Sequence, residues 1–254
     1  MRFLIPIAFS ILFIACDKQS DETAVSDITL NFKANFGNDP LTMFSSEYPY
    51  EEGVDVKFQL FQFYISDVTL IKHSSNYHEE KVILDVASVD FGEIFTDQQA
   101  SEGVSFLIKD VPTGDYSGIR FGIGVAPDLN ATGPASYAPG HPLTENYWSW
   151  AMGYVFFKIE GNADLDQSED FAQKLTFHIG TNEMYRLKEF EKTINHRENQ
   201  PLEINFNVDA KRVLNDGNGN FVDFRQINQD HTNNKALGNQ MADNLLQAIT
   251  LNIQ

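Results

Sequence analysis

The chain has 254 residues, 36 of them acidic and 18 Lys or Arg, for a formal charge of −18 at pH 7. So acidic a surface repels phosphate backbones and anionic membrane faces, which excludes nucleic acid as a partner and leaves solubility and cations as readings of the charge. A single cysteine, Cys16, excludes intramolecular disulfides and thiolate metal clusters.

In chain order, Arg2 precedes an apolar stretch from Phe3 to Ile14, broken only by Pro6 and Ser10 and closing on Leu12-Phe13-Ile14-Ala15-Cys16. The stretch is too short to span a bilayer as a mature helix, so residues 1–15 read as a removable lipoprotein signal peptide and Cys16 as the lipidated residue. Phe13 stands where Leu or Val is commoner in such a lipobox. Processing would remove Arg2 and no acid, taking the charge from −18 to −19. Residues 16–26 are polar and lack apolar periodicity, and read as a flexible tether. Its acidic start resembles the surface-export signals of some lipoproteins. The expected location is extracytoplasmic, anchored by lipid to the outer membrane on its periplasmic face or at the cell surface.

Residues 27–254 read as one all-β domain. Asp27 to Phe36 alternates apolar and polar residues with the period of two that a half-buried strand requires. Further strands are expected at 54–60, 68–71, 82–86, 104–108, 118–125, 154–159, 175–179 and 202–208. Gly and Pro clusters such as Pro112-Thr113-Gly114 and Pro139-Gly140-His141-Pro142 punctuate them. Many short strands between turn signals favour an antiparallel Ig-like or jelly-roll-type β-sandwich with long loops. Residues 126–147 form a long Pro-, Gly-, Tyr- and Asn-rich connection of the kind that carries function. Only the end reads as helical, from Ala236 behind caps at Asn233 or Asn234, with Leu237, Met241, Leu245, Ala248 and Ile249 on one stripe.

The most unusual local sequence is Asn146-Tyr147-Trp148-Ser149-Trp150-Ala151-Met152-Gly153-Tyr154, which holds both tryptophans. As an extended run it would project Trp148, Trp150 and Met152 to one side. That stripe reads either as core packing or as a soft, polarizable face. In Leu175-Thr176-Phe177-His178-Ile179, the residues Leu175, Phe177 and Ile179 share one face and His178 lies on the other. His178 is then either a hydrogen-bonded structural residue or a ligand. His231 precedes the terminal helix and Met241 lies on its apolar side, so that both could close over a site, or Met241 could simply pack the helix down.

The Trp148-Ser149-Trp150-x-x-Gly153-Tyr154-x-Phe156-x-Lys158-x-Glu160-Gly161 run, followed by Phe177-His178-Ile179-Gly180, resembles the MbnP-like family. So do Phe63-Tyr64-Ile65-Ser66-Asp67-Val68 and Phe121-Gly122-Ile123-Gly124-Val125, and the resemblance covers roughly residues 27 to 250 in order. It implies a periplasmic or surface β-sandwich associated with copper, in which a partner di-haem enzyme of the cytochrome c peroxidase (MauG-like) type oxidises one tryptophan to kynurenine and the product helps bind Cu(I). By that resemblance Trp148 or Trp150 would be modified and His178 would be the leading imidazole ligand, with Met152, His231 and Met241 as further candidates. An outer-membrane transporter is a further expected partner. Cu(I) is soft and accepts imidazole and thioether ligands without a thiolate. The chain would be the substrate of the oxidation, and no catalytic residue is assigned.

Other motifs carry less. Asp216 to Asp223 and Asp164 to Asp170 place oxygens at intervals suited to calcium, but the first lacks the distal Glu of an EF-hand and reads better as a Gly-rich turn. The second reads as a solvated acidic loop. No nucleophile elbow, HExxH or phosphate-binding glycine loop is present. The function expected is therefore copper binding for uptake, storage or delivery. The alternatives are a glycan- or peptide-binding module and a structural sandwich without metal.

Overall fold

The computed structural model describes residues 24–51, 53–74, 77–149 and 153–252. Cys16, Trp150 and Met152 lie outside the described residues. Strands dominate, and they build two large sheets around one aromatic core.

The first strand runs from Val25 to Phe36 with the alternation its sequence predicts: Ile28, Leu30, Phe32, Ala34 and Phe36 point inward. It lies at the centre of a five-stranded sheet, antiparallel to Val104–Pro112 and parallel to Leu202–Asp209, which in turn pairs with the last strand, Ile249–Asn252. The facing eight-stranded sheet is organised on Asp55–Ser74. One edge of that strand pairs with Tyr77–Asp90, and the other with Phe157–Asp164 and Gly118–Ile123 in succession. Phe32 joins the two sheets, its ring 6.2 Å from those of Phe63 and Phe121 and stacked at 4.7 Å on Phe206. All-β is the fold class, but among the described residues two strand pairs are parallel where an antiparallel sandwich was expected. Alternation reports which face is buried and carries no information about the direction of a neighbour.

Two expected strands, 54–60 and 68–71, are one strand of 20 residues. The inward set changes parity twice along it, from Val56 and Phe58 to Phe61, Phe63 and Ile65 and then to Val68 and Leu70, at β-bulges beside Gln59 and Asp67, and the 126–147 connection covers Tyr64 on the other face. Tyr64 donates its hydroxyl to the Pro142 carbonyl at 2.8 Å. That connection is built of short turns at Pro127–Asn130, Pro134–Ser136 and Pro142–Thr144, and Leu143 is sealed beneath it. Further departures from the sequence reading are the short helices Asp97–Glu102 and Ala210–Leu214 and the strands Arg186–Phe190 and Ile194–His196.

The terminal helix, Lys235–Ala248, starts where Asn234 accepts a hydrogen bond from the Leu237 amide at 3.2 Å. Leu237, Met241, Leu245 and Ala248 face the core. Gly238 brings the helix against Met184, whose Cε would stand 2.9 Å from a β-carbon at that position.

Candidate metal centre

The site grows from strand alternation. In Gln173–Ile179, Leu175, Phe177 and Ile179 are buried in the core, which turns Thr176 and His178 to the outer face of the sheet. The antiparallel neighbour Phe157–Asp164 sets Lys158 opposite His178 and Glu160 opposite Thr176, on the same outer face. Glu160 reaches diagonally to His178, with Oε1 2.7 Å from Nε2. A carboxylate can only accept there, so Nε2–H donates and Nδ1 is left with a lone pair.

On its other side Gln173–Ile179 pairs in parallel with the two-residue strand Gln229–Asp230, Phe177 opposite Asp230. The next residue, His231, therefore comes alongside His178. Their ring centroids are 4.9 Å apart at 75°. Thr232 then turns the chain with φ of 62°, its hydroxyl donating to the His178 carbonyl at 3.2 Å while accepting from the Gly180 amide at 2.9 Å. Asp230, itself buried, accepts from the Asn234 amide at 3.0 Å and ties this turn to the start of the terminal helix.

Trp148 arrives from a third direction. Tyr147–Trp148 pairs antiparallel with Gly153–Tyr154, Trp148 opposite Gly153, so the chain reverses within the aromatic run. Of the stripe expected from Trp148, Trp150 and Met152, only Trp148 lies within the described residues. The Trp148 ring lies 6.4 Å from that of His231, tilted by 44°. The hairpin is held by Tyr154, whose amide donates to Asn130 Oδ1 at 2.8 Å and whose hydroxyl donates to the Leu143 carbonyl at 2.9 Å. Gly180 lets the backbones meet: a β-carbon there would stand 2.3 Å from the Tyr154 carbonyl oxygen. The same join carries a 2.7 Å bond from the Phe156 amide to the Ile179 carbonyl.

The electrostatics favour a neutral His178. Burial pushes its pKa below the ordinary histidine value, against the Glu160 hydrogen bond and charge, which raise it, while Lys158 and His231 add to the lowering. Lys158 donates to Asn146 Oδ1, and burial holds its ammonium below the usual lysine range against the pull of Glu160. A neutral imidazole with its second nitrogen fixed by a carboxylate is the form in which histidine binds metals.

His178, His231 and Trp148 are thus brought together. Met241 is not: it is fully buried in the core, on the inner face of the terminal helix. Among the described residues no three His, Cys, Asp or Glu side chains converge as a ligand set. The donors present are two imidazoles beside an indole, a spacing one ion can share since metal–imidazole bonds are about 2 Å. This set fits a copper ion better than calcium or magnesium, which require oxygen. Lys158 and Glu160 stand in the family-like run without a site role there, although period-two alternation through Lys158-Ile159-Glu160 sets both on the face away from the core.

Next to this corner is a cleft of about 350 Å³ lined by Trp148, Tyr154, Asn130, Thr181, Asn182 and Lys235. The two acidic loops have structural work instead. Asp216 accepts from the amides of Asn218 and Asn220 at 2.6 and 3.1 Å, closing the Gly-rich turn. Asp164, expected in a solvated loop, is buried and accepts from the amides of Asp166, Ser168 and Glu169.

Residues 25–235 match the model of the MbnP family. The chain belongs to the MbnP family. That family is associated with copper and with extracytoplasmic locations. The MbnP span includes Trp148, His178 and His231 and ends before Met241. Neither a curated protein nor a solved structure matches the chain. No helix among the described residues is long and apolar enough to cross a membrane.

Proposed function

We propose that this MbnP-family chain is a lipid-anchored copper-binding protein that holds Cu(I) at the corner made by His178, His231 and Trp148. The observation that carries the reading is the edge-on imidazole pair, 4.9 Å between centroids, with the indole 6.4 Å from His231. His178 Nδ1 and a nitrogen of His231 would ligate the ion, and Glu160 would orient the first ring. Oxidation of Trp148 to kynurenine, catalysed by a di-haem partner with dioxygen or peroxide as the oxidant, would cleave the indole C2–C3 bond, release C2 as formate and leave an aromatic amine and a ketone to complete the donor set. The chain acts as a binding protein in this reading, for uptake, storage or delivery. Its lipid on Cys16 would keep it at the outer membrane, where a transporter could exchange copper with it.

The test is anaerobic competition with a Cu(I) chelator, comparing wild type with His178→Ala, His231→Ala and Trp148→Phe, alongside mass spectrometry of the Trp148 peptide from the native host. About one ion per chain, lost in the histidine variants, supports the site. Wild-type affinity in all three variants removes these residues from it.

A glycan-binding reading draws on the Trp148 cleft, where an indole wall stands beside two amides and a lysine. Quenching of tryptophan fluorescence by oligosaccharides, with indifference to copper, would favour it.

A further inference from the structure

A second pair of histidines lies elsewhere on the same sheet, outside the corner just described. His73 and His78 are direct cross-strand partners near the end of the hairpin formed by Asp55–Ser74 and Tyr77–Asp90. Directly opposed residues of an antiparallel pair project to one face with β-carbons about 5 Å apart. Here the ring centroids are 5.7 Å apart at 71°. Both imidazoles are solvent-accessible, and they line a cleft of about 350 Å³ together with Glu189 and Glu191.

The surroundings orient one of the rings. Arg120 grips Glu80 through two hydrogen bonds, at 3.0 and 2.6 Å, and Glu80 in turn stands 3.0 Å from His78 Nε2. A carboxylate fixed by a guanidinium and holding an imidazole N–H directs the other nitrogen outward as a ligand. That is the arrangement Glu160 gives His178, but on an exposed surface. Strongly negative charge over the whole chain raises the local concentration of cations at such a place.

We propose that His73 and His78 form a second, solvent-facing metal site that takes a divalent first-row cation, Cu²⁺ above the others. Two borderline nitrogen donors bind Cu²⁺ more tightly than Zn²⁺ or Ni²⁺ by the ordinary affinity order, and water completes the coordination. The site is independent of the Cu(I) corner: it uses a different oxidation state, different strands and no tryptophan.

The experiment is titration of the full-length protein in detergent with CuSO₄, in a buffer holding glycine as a weak competing chelator. It compares wild type, His73→Gln/His78→Gln and His178→Ala/His231→Ala, with the stoichiometry read by dialysis and the ligands by the nitrogen hyperfine pattern in electron paramagnetic resonance. Glutamine keeps the exposed strand polar, and circular dichroism checks each fold. The expected result is one Cu²⁺ fewer per chain, and loss of a two-imidazole signal, in His73→Gln/His78→Gln, with that ion retained in His178→Ala/His231→Ala. Unchanged Cu²⁺ stoichiometry and spectrum in His73→Gln/His78→Gln overturns the proposal. So does loss of the same signal in the His178→Ala/His231→Ala variant.

Discussion

Replacing Met241 separates packing from ligation. The side chain is fully buried on the inner face of Lys235–Ala248, between Leu237 and Leu245 on the same stripe. The helix there packs against Ala210–Leu214 and Arg186–Phe190. Met241→Ala deletes a buried side chain and leaves a cavity that the sheet and two helices can close only in part, a loss of about 3 kcal/mol. In a domain of this size that is a fall of roughly 6–12 °C in Tm. Met241→Leu keeps the volume and should cost less than about 1.5 kcal/mol. Urea unfolding and calorimetry give the stabilities, and anaerobic Cu(I) competition at a temperature where every variant is folded gives the affinity. Both variants should bind as wild type does. A Met241→Ala protein of unchanged stability but weakened Cu(I) binding would refute the packing assignment and make Met241 a ligand.

Gly180→Ala should push the Tyr147–Tyr154 hairpin away from the His178 strand, because its new methyl meets a carbonyl oxygen at 2.3 Å. The expected cost is about 1–3 kcal/mol, with a changed Trp148 emission spectrum, and wild-type stability and emission would argue against the close approach. Glu160→Gln removes the carboxylate that raises His178, so its pKa should fall further and Cu(I) affinity should drop about 10–100-fold. NMR titration of the ring reads the first, and a pKa that rises counts against the assignment. Burial pushes Tyr64 up to about 12 from 10. Its protonated form is therefore favoured by the fold, and this stabilisation, fully present below pH 10, is lost as pH rises toward 12, in total about 2–3 kcal/mol. Tyr64→Phe loses the bond to Pro142 but also this titration. It should be about 1 kcal/mol less stable than wild type at pH 8, with the two curves crossing near pH 11; parallel curves in urea unfolding would exclude Tyr64 as the titrating group.

Sequence by itself determined the all-β class, the inward faces of the strands and the capped terminal helix. These are local consequences of period two, period 3.6 and one asparagine. It also put His178 on the outer face, since Leu175, Phe177 and Ile179 could only be buried together. Other features were written in the chain but too briefly for periodicity to act. Thr96-Asp97-Gln98-Gln99 is a capping box opening a helix of six residues. The 20-residue strand reads as two short ones because β-bulges beside Gln59 and Asp67 shift which residues face the core, and a bulge depends on the partner strand.

Only the tertiary structure decided what surrounds His178. Glu160 comes from an adjacent strand, His231 from a parallel segment over fifty residues later, and Trp148 from a hairpin. Strand order, direction and register are set by which surfaces pack best over the whole core, and alternation is identical for a parallel and an antiparallel neighbour. Met241 illustrates the same limit: its stripe was legible, but whether a stripe covers a site or a core depends on what lies beneath it. Beneath this one lies the core.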